Sequence, residues 1–399
     1  MTMPRILIFI HDGRGLGHLR RLSILAQRLQ GAASVLFLTG LREASWIVPP
    51  NCEFIHIPNI DSLESDRSQQ WLRDPFLPEG SRHSATIRPR LIRATVEAFE
   101  PDALIVDYLP LGRGEELHDI VFGRPECKKY YISRGVLGKP EEVRKDVFTP
   151  TCLEALRTKF CRILVMSDPC MVDTVQEYGF DPILASKVTY AGYAVNQPTQ
   201  AQLQAARRAR GISSRDRWVV CSAGGGKSGE QLVQRCWELS RLFPEAYFDI
   251  VAGPRARLKL QELDQKSSNR VIVVDANTTN LPIMHAAADV VITRAGYNSL
   301  LEASVGAAHI IAVPIPWDYE QQDHVRRLAN HRLLHIVEDI DEIDVVLERV
   351  INLDSPAPLT STKIGLTGAD IAAHVILQDL LRHPNATNNP TNVPDWSYA

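Results

Sequence analysis

Apolar residues gather along this chain in short blocks, and helix-like or polar stretches separate one block from the next. Residues 5–10 (RILIFI), 34–39 (SVLFLT) and 53–57 (EFIHI) open the series. Each has the length and the β-branched or aromatic content of a strand. Between the first two, Leu22, Leu25, Ala26 and Leu29 fall on one face of a helix. The alternation continues through blocks at 101–108, 130–135, 161–167 and 187–193, then at 217–222, 248–252, 271–274, 290–292 and 309–314. Strands apolar at successive positions are covered on both faces, so the pattern predicts an α/β protein of doubly wound parallel sheets. From Pro58 to about Pro89 the chain is polar, with Asp61, Glu64, Asp66, Arg67, Arg73, Asp74, Arg82 and Arg88. That stretch reads as a functional loop, with a helix beginning near Arg90. A last helix runs from about Thr367 to Leu381.

A chain of 399 residues is too long for one ordinary domain. The expected division is 1–196 and 197–383, with a Pro- and Asn-rich tail at 384–399 that reads as disordered. A net charge of -3 lacks the basic excess of a nucleic-acid binder. The seven cysteines are odd in number, scattered and without a CxxC, so neither a disulfide framework nor a zinc knuckle is indicated. No segment is apolar enough to span a membrane, and no leader precedes the first strand. A cytoplasmic protein without stable membrane insertion is expected, and a homodimer is among the assemblies its composition allows.

The chemistry lies in the turns. After the first strand, Gly15 and Gly17 clear the space around His18 at the start of a helix. The helix dipole there favours neutral imidazole, the form a general base needs. The alternative is a histidine that packs at the edge of the core face. His18 stands where GxGxxG would require its last glycine, which argues against a dinucleotide cofactor. Asp107 and Arg134 end two strands of the first half and reach the same crevice, unless each only pairs with a neighbouring charge. In the second half, Gly224, Gly225, Gly226 and Lys227 form a glycine-rich loop before a helix, suited to cradling phosphate. The first glycine of a Walker A motif is replaced by Cys221. The turn Thr293–Gly296 opens a helix near Asn298 and Ser299. Glu302 is either the acid of a capping box with Ser299 or a carboxylate that accepts bonds from a ribose diol. Glu320, Gln321 and Gln322 follow the block that ends in Pro314. Asp339-Ile340-Asp341 lies in an acidic surface run, which does not support a metal site.

The segment ADVVITRAG, then five residues, then Glu302, a strand ending in proline and an acid-Gln-Gln run resembles the donor half of GT-B glycosyltransferases. The resemblance is to the group containing the N-acetylglucosamine transferase that completes the lipid-linked peptidoglycan precursor, of the family 28 type. GLGHLRR, PDALIVDYLPLGRGEEL and ISRG resemble bacterial glycosyltransferases assigned from sequence and related to that enzyme. The resemblance implies two Rossmann-like domains facing across a cleft, the first for an acceptor and the second for a nucleotide sugar. It implies an inverting transfer that needs no metal or cofactor, the nucleotide sugar being a substrate, most simply UDP-linked.

Within it, His18 is the base toward the acceptor, with Gly15, Gly17, Asp107 and Arg134 on the acceptor side. Gly224, Gly225, Gly226, Lys227 and Arg294, with the turn at Gly296, face the diphosphate, Asn298 and Ser299 are further donor-binding residues, Glu302 holds the ribose, and Glu320, Gln321 and Gln322 meet sugar hydroxyls. The first domain has no exposed apolar and basic stretch for docking on a membrane, which points to a small-molecule or secondary-metabolite acceptor. Two alternatives remain open: a hydrolase resembling the one that strips the nucleotide in pseudaminic acid synthesis, and a non-catalytic nucleotide-sugar-binding protein.

Overall fold

A computed structural model describes residues 3–11, 15–58, 81–224, 229–253, 270–306 and 308–381. Seven parallel strands form the first sheet, β1 (Arg5–Phe9), β2 (Ser34–Thr39), β3 (Glu53–His56), β4 (Ala103–Asp107), β5 (Lys128–Arg134), β6 (Arg162–Met166) and β7 (Val188–Tyr190), in the order β3-β2-β1-β4-β5-β6-β7. The second sheet holds β8 (Trp218–Ser222), β9 (Tyr247–Ala252), β10 (Val271–Asp275), β11 (Val290–Thr293), β12 (His309–Ala312) and β13 (His335–Ile336), ordered β10-β9-β8-β11-β12-β13. Both sheets are parallel throughout and both reverse direction beside their first strand. These are two Rossmann-like α/β domains.

The two-residue period of a strand divides each apolar block between two cores. Leu7, Phe9, Leu104 and Val106 enter one core of the first sheet, while Ile6, Ile8, Ala103 and Ile105 enter the other. In the second sheet Val220, Val291 and Ile310 face one way, and Val219, Cys221, Ile292 and Ile311 the other. Burial on both sides is why these strands read as continuous apolar runs rather than as alternation.

One boundary differs from the sequence reading. The helix placed near Arg90 begins at Ser81 and runs to Phe99, with Pro89 inside it. Arg88 anchors that helix through a bidentate pair to Glu116 at 2.8 Å and a bond to Pro58 O at 2.7 Å. The last helix, Gly368–Leu381, follows the second sheet in sequence but packs on the first domain. Ala369, Ala372, Ala373 and Ile376 join the core that holds Leu22, Leu25 and Leu29, and Arg28 Nε donates to Asp370 Oδ1 at 2.8 Å. The polar run at 59–80 and the tail at 384–399 lie outside the described residues.

The chain therefore crosses between the domains twice, and the crossings lie against each other. Ala194 pairs with Thr367 in an antiparallel bridge. Tyr193 N donates to Gly365 O at 2.7 Å, and Gly368 N donates to Tyr193 O at 2.9 Å. Gly192 adopts a φ of 83°, and a Cβ on Gly368 would collide with the Gly192 carbonyl. Further contacts join the domains: Tyr297 Oη donates to Met166 O, and Arg327 Nη2 bonds both Glu177 oxygens at 3.0 and 3.2 Å. Among the described residues, no helix is long and apolar enough to cross a membrane.

Candidate active site

Open α/β sheets bind ligands where strand order reverses, outside the carboxyl ends of the strands. In the first domain that point lies between β1 and β4. The chain leaving β1 turns at Gly15 into the helix Gly17–Leu29, and β4 ends at Asp107. The Asp107 side chain is fully buried. Its Oδ1 accepts from Arg21 Nη2 at 2.6 Å, and its Oδ2 lies 2.6 Å from His18 Nδ1. His18 and Arg21 stand three residues apart on one helix face and so reach the same carboxylate. Tyr108 takes a left-handed φ of 62°. That conformation is uncommon for a bulky residue, and here it accompanies a ring set 5.5 Å from His18 and 4.9 Å from His11.

Burial lowers the pKa of His18 to about 4, with Arg134 acting in the same direction and Asp107 opposing it. The imidazole is therefore neutral near pH 7, and Nδ1–H donates to Asp107. For Asp107 itself, burial works to raise the pKa, but the His18 and Arg21 partners outweigh it and hold the carboxyl below its ordinary range. A carboxylate fixing one imidazole nitrogen leaves Nε2 as the proton acceptor, the arrangement a general base requires.

The reversal in the second domain lies between β8 and β11. Gly224 follows β8 with a φ of 73°. Gly225, Gly226 and Lys227 lie outside the described residues. After β11 the left-handed residue is Ala295, with a φ of 55°, whereas Gly296 has an ordinary φ of -64° and stands at the helix N-cap. A Cβ on Gly15 or Gly296 would meet nothing within 4 Å. The protein's own packing thus does not require glycine at either position, and both leave room above their turns. Arg294 lies near Cys221 and Cys236, where burial lowers its pKa.

The capping-box alternative for Glu302 does not hold. Helix Tyr297–Ser304 starts at Gly296 with no side-chain cap, which places Ser299 and Glu302 inside the helix. Glu302 is buried, and its Oε1 lies 3.1 Å from Arg20 Nη2 of the first domain. Its Oε2 lies 3.0 Å from His285 Nδ1. Burial pushes its pKa up, yet Arg20 and the His285 hydrogen bond more than offset this, so the carboxylate stays ionised. Asn298, one turn earlier on the same face, donates Nδ2 to Gly17 O at 3.1 Å.

The loop after β12 differs from its expected use. Gln321 and Gln322 brace the loop itself: Gln321 Oε1 accepts from Ile315 N at 3.1 Å and Gln322 Nε2 donates to Ile315 O at 3.4 Å. Ile315 sits between two prolines beyond the end of its strand, so the glutamine amides take the place of a ladder. Glu320 crosses the cleft to Arg134 at 2.5 Å, and the Arg134 guanidinium lies 5.7 Å from the centre of the Tyr108 ring. Asp107 and Arg134, the two strand-end charges, are thus both ion-paired. Asp339 in the acidic run caps a turn by accepting from Asp341 N at 3.0 Å.

Burial is the chief reason that Glu320 has a pKa raised from the ordinary 4.5 to about 7, against the pull of Arg134. The unfolded chain gives up this proton first, so the group makes stability fall as pH rises from about 4.5 to about 7. His18 and His324, both lowered to about 4 from 6.5, act in the opposite sense, and their stabilisation is lost as pH falls from 6.5 to about 4. Glu320→Gln removes the first effect. It is expected to steepen the rise of stability between pH 5 and pH 7 by roughly 2 kcal/mol in urea unfolding followed by circular dichroism. An unchanged slope would show that Glu320 titrates normally.

Sequence reading missed Arg20, Arg21, Tyr108, His11 and His285. Arg21 carried a usable signal, since an arginine on the core face of an amphipathic helix, three residues from His18, calls for a buried acid. His285 carried none.

Residues 219–364 match the profile of the glycosyltransferase family 28 C-terminal domain, a span that includes Gly224, Arg294, Glu302 and Glu320. The second domain is therefore similar to the C-terminal domain of family 28 glycosyltransferases. No curated protein matches the chain. Among solved structures, this chain is similar in fold to the spinosyn rhamnosyltransferase SpnG complexed with spinosyn aglycone, at 16% identity and a TM-score of 0.58, over 94% of this chain and 95% of that one. UGT2 of Phytolacca americana, complexed with UDP-2-fluoro-glucose and pterostilbene, is 14% identical with a TM-score of 0.55, over 94% of each chain. The UDP-GlcNAc 2-epimerase of Methanocaldococcus jannaschii is 10% identical with a TM-score of 0.53, over 93% of this chain and 99% of that one. At these identities the likeness is one of fold. The family match lies in the second domain, and the His18–Asp107–Arg21 cluster lies in the first.

Proposed function

We propose that this protein transfers a sugar, with inversion and without a metal, from a nucleotide-sugar donor to a hydroxyl of a small-molecule acceptor. The observation that carries the reading is the 2.6 Å contact between His18 and Asp107 at the first domain's reversal point, opposite a family-28 donor domain. The acceptor hydroxyl gives its proton to His18 Nε2 as its oxygen attacks the anomeric carbon. The bond from that carbon to the diphosphate breaks, and its electrons leave with the nucleotide. Asp107 stabilises the imidazolium that forms, as the acid of a Ser-His-Asp triad does. The helix N-terminus at Gly296, with Arg294, faces the charge that develops on the leaving group. Glu302 holds the ribose. Structural neighbours complexed with UDP-2-fluoro-glucose, thymidine diphosphate and aglycones support a nucleotide donor and a small-molecule acceptor, and UDP is the nucleotide we favour.

The test is isothermal titration with UDP-, dTDP- and GDP-sugars while nucleotide release is followed in the same samples. Binding of one donor with only slow release is expected, since the acceptor is missing. Rapid release would replace this reading by a hydrolase in which water takes the acceptor's place, and absence of binding across the panel would overturn it.

A further inference from the structure

Glu302 has two partners of different kinds. His285 belongs to the same domain, is fully buried, and meets Oε2 at 3.0 Å. Arg20 belongs to the other domain, keeps 23% of its side chain exposed, and reaches Oε1 with one guanidinium nitrogen at 3.1 Å. The His285 contact is set by packing within one domain, whereas the Arg20 contact exists only while the two domains meet. A carboxylate this buried needs hydrogen-bond partners to stay charged, so an oxygen that loses Arg20 must find another donor. A ribose diol offers two adjacent hydroxyls that can fill the place. Asn298, at i-4 from Glu302 on the same helix face, touches the same turn of the first domain through Gly17 O. Its Oδ1 is buried and finds no hydrogen-bond partner among the described residues, which adds an unfilled acceptor to that face.

We propose that Arg20 is a determinant of donor affinity supplied by the acceptor domain: it occupies the Glu302 oxygen that the nucleotide's ribose requires, and donor binding exchanges one for the other. The proposal rests on the nucleotide-sugar reading of the site. It makes donor affinity a property of both domains, with Arg20 released on the helical turn that carries His18 and Arg21. The freed guanidinium attracts a diphosphate, which offsets part of the competition. A nucleoside lacks the diphosphate and isolates the competition.

The experiment titrates uridine, thymidine and guanosine, by ligand-observed NMR, into the wild type, Arg20→Met and Arg20→Lys. Titration of the wild type with UDP, dTDP and GDP runs alongside. Arg20→Met is expected to bind the matching nucleoside about tenfold tighter than wild type, the scale of one hydrogen bond to a charged group. Arg20→Lys keeps a cation and should stay close to wild type. In the wild type alone, higher ionic strength should tighten binding of the uncharged nucleoside, because salt screens the ion pair that it displaces. That measurement stands even if Arg20→Met fails to fold. Equal or weaker nucleoside binding by a folded Arg20→Met, or nucleoside binding that salt leaves unchanged or weakens, overturns the role of Arg20 while nucleotide binding leaves the site's assignment intact. Failure of the wild type to bind any of the three nucleoside diphosphates overturns both.

Discussion

Replacing His18 with alanine is expected to lower kcat by about 10²- to 10⁴-fold while nucleotide affinity stays within about twofold, the signature of a lost general base rather than a lost binding group. The cause is geometric. Asp107, held by Arg21 at 2.6 Å, orients the imidazole through Nδ1, and no other side chain of the described cluster is both neutral and fixed in this way. Asp107→Asn should lose a comparable factor with His18 still present, because an amide does not fix the tautomer. The pH dependence separates this base from its surroundings. With a pKa of about 4, His18 remains neutral well below pH 6, so kcat/KM should not fall at the ordinary histidine value as pH drops. An inflection near pH 7 would belong to Glu320 and should vanish in Glu320→Gln. An acid limb near 6.5 that persists in that variant would sink the assignment of His18 as a buried neutral base. Single-turnover rates with the donor found by titration are the measurement.

Glu302→Gln is the second large effect, and it should appear in binding. Two charge-assisted contacts meet this carboxylate in the free protein, Arg20 at 3.1 Å and His285 at 3.0 Å. A ribose diol needs the same acceptor strength. An amide offers one oxygen in place of two and turns an N–H toward a donor, so donor Kd should rise about 100-fold, on the scale of one to two hydrogen bonds to a charged group. Turnover at saturating donor should fall far less, since Glu302 is distant in role from the proton transfer. A large loss of kcat with unchanged Kd would show that Glu302 serves the domain interface alone and would remove it from the donor site. Urea unfolding of the variant guards against a trivial cause, because a buried carboxylate whose partners lose it is a known source of destabilisation.

The sheets were legible because their strands are covered on both faces, so β1, β4, β8 and β11 present themselves as apolar blocks. The strand β13 was not legible: it has two residues, His335 and Ile336, and a pair of residues has no periodicity. The helix from Ser81 was shortened in the sequence reading because Ser81–Arg88 is polar and Pro89 looks like a first-turn proline, whereas here the ring sits inside the helix. In the site, His18 and Asp107 could be chosen because one opens a helix after a glycine turn and the other ends a strand. Their meeting could be guessed from the shared crevice. The pairs that cross the cleft, Arg20 with Glu302 and Arg134 with Glu320, could not. Each joins residues from different domains, and nothing local to either residue records the other. For the same reason Gln321 and Gln322 read as ligand-facing amides, although their own loop claims them.

The paired crossings have a consequence for motion. One linker would leave the second domain on a tether, free to twist as well as swing. Two strands of chain bridged between Ala194 and Thr367, with Gly192 and Gly368 in contact, have the geometry of a two-pin hinge, in which bending across the pair costs less than torsion along it. Any opening of the cleft would then be steered along a single track, which in the donor-free protein leads Arg20 back to Glu302 and Arg134 back to Glu320.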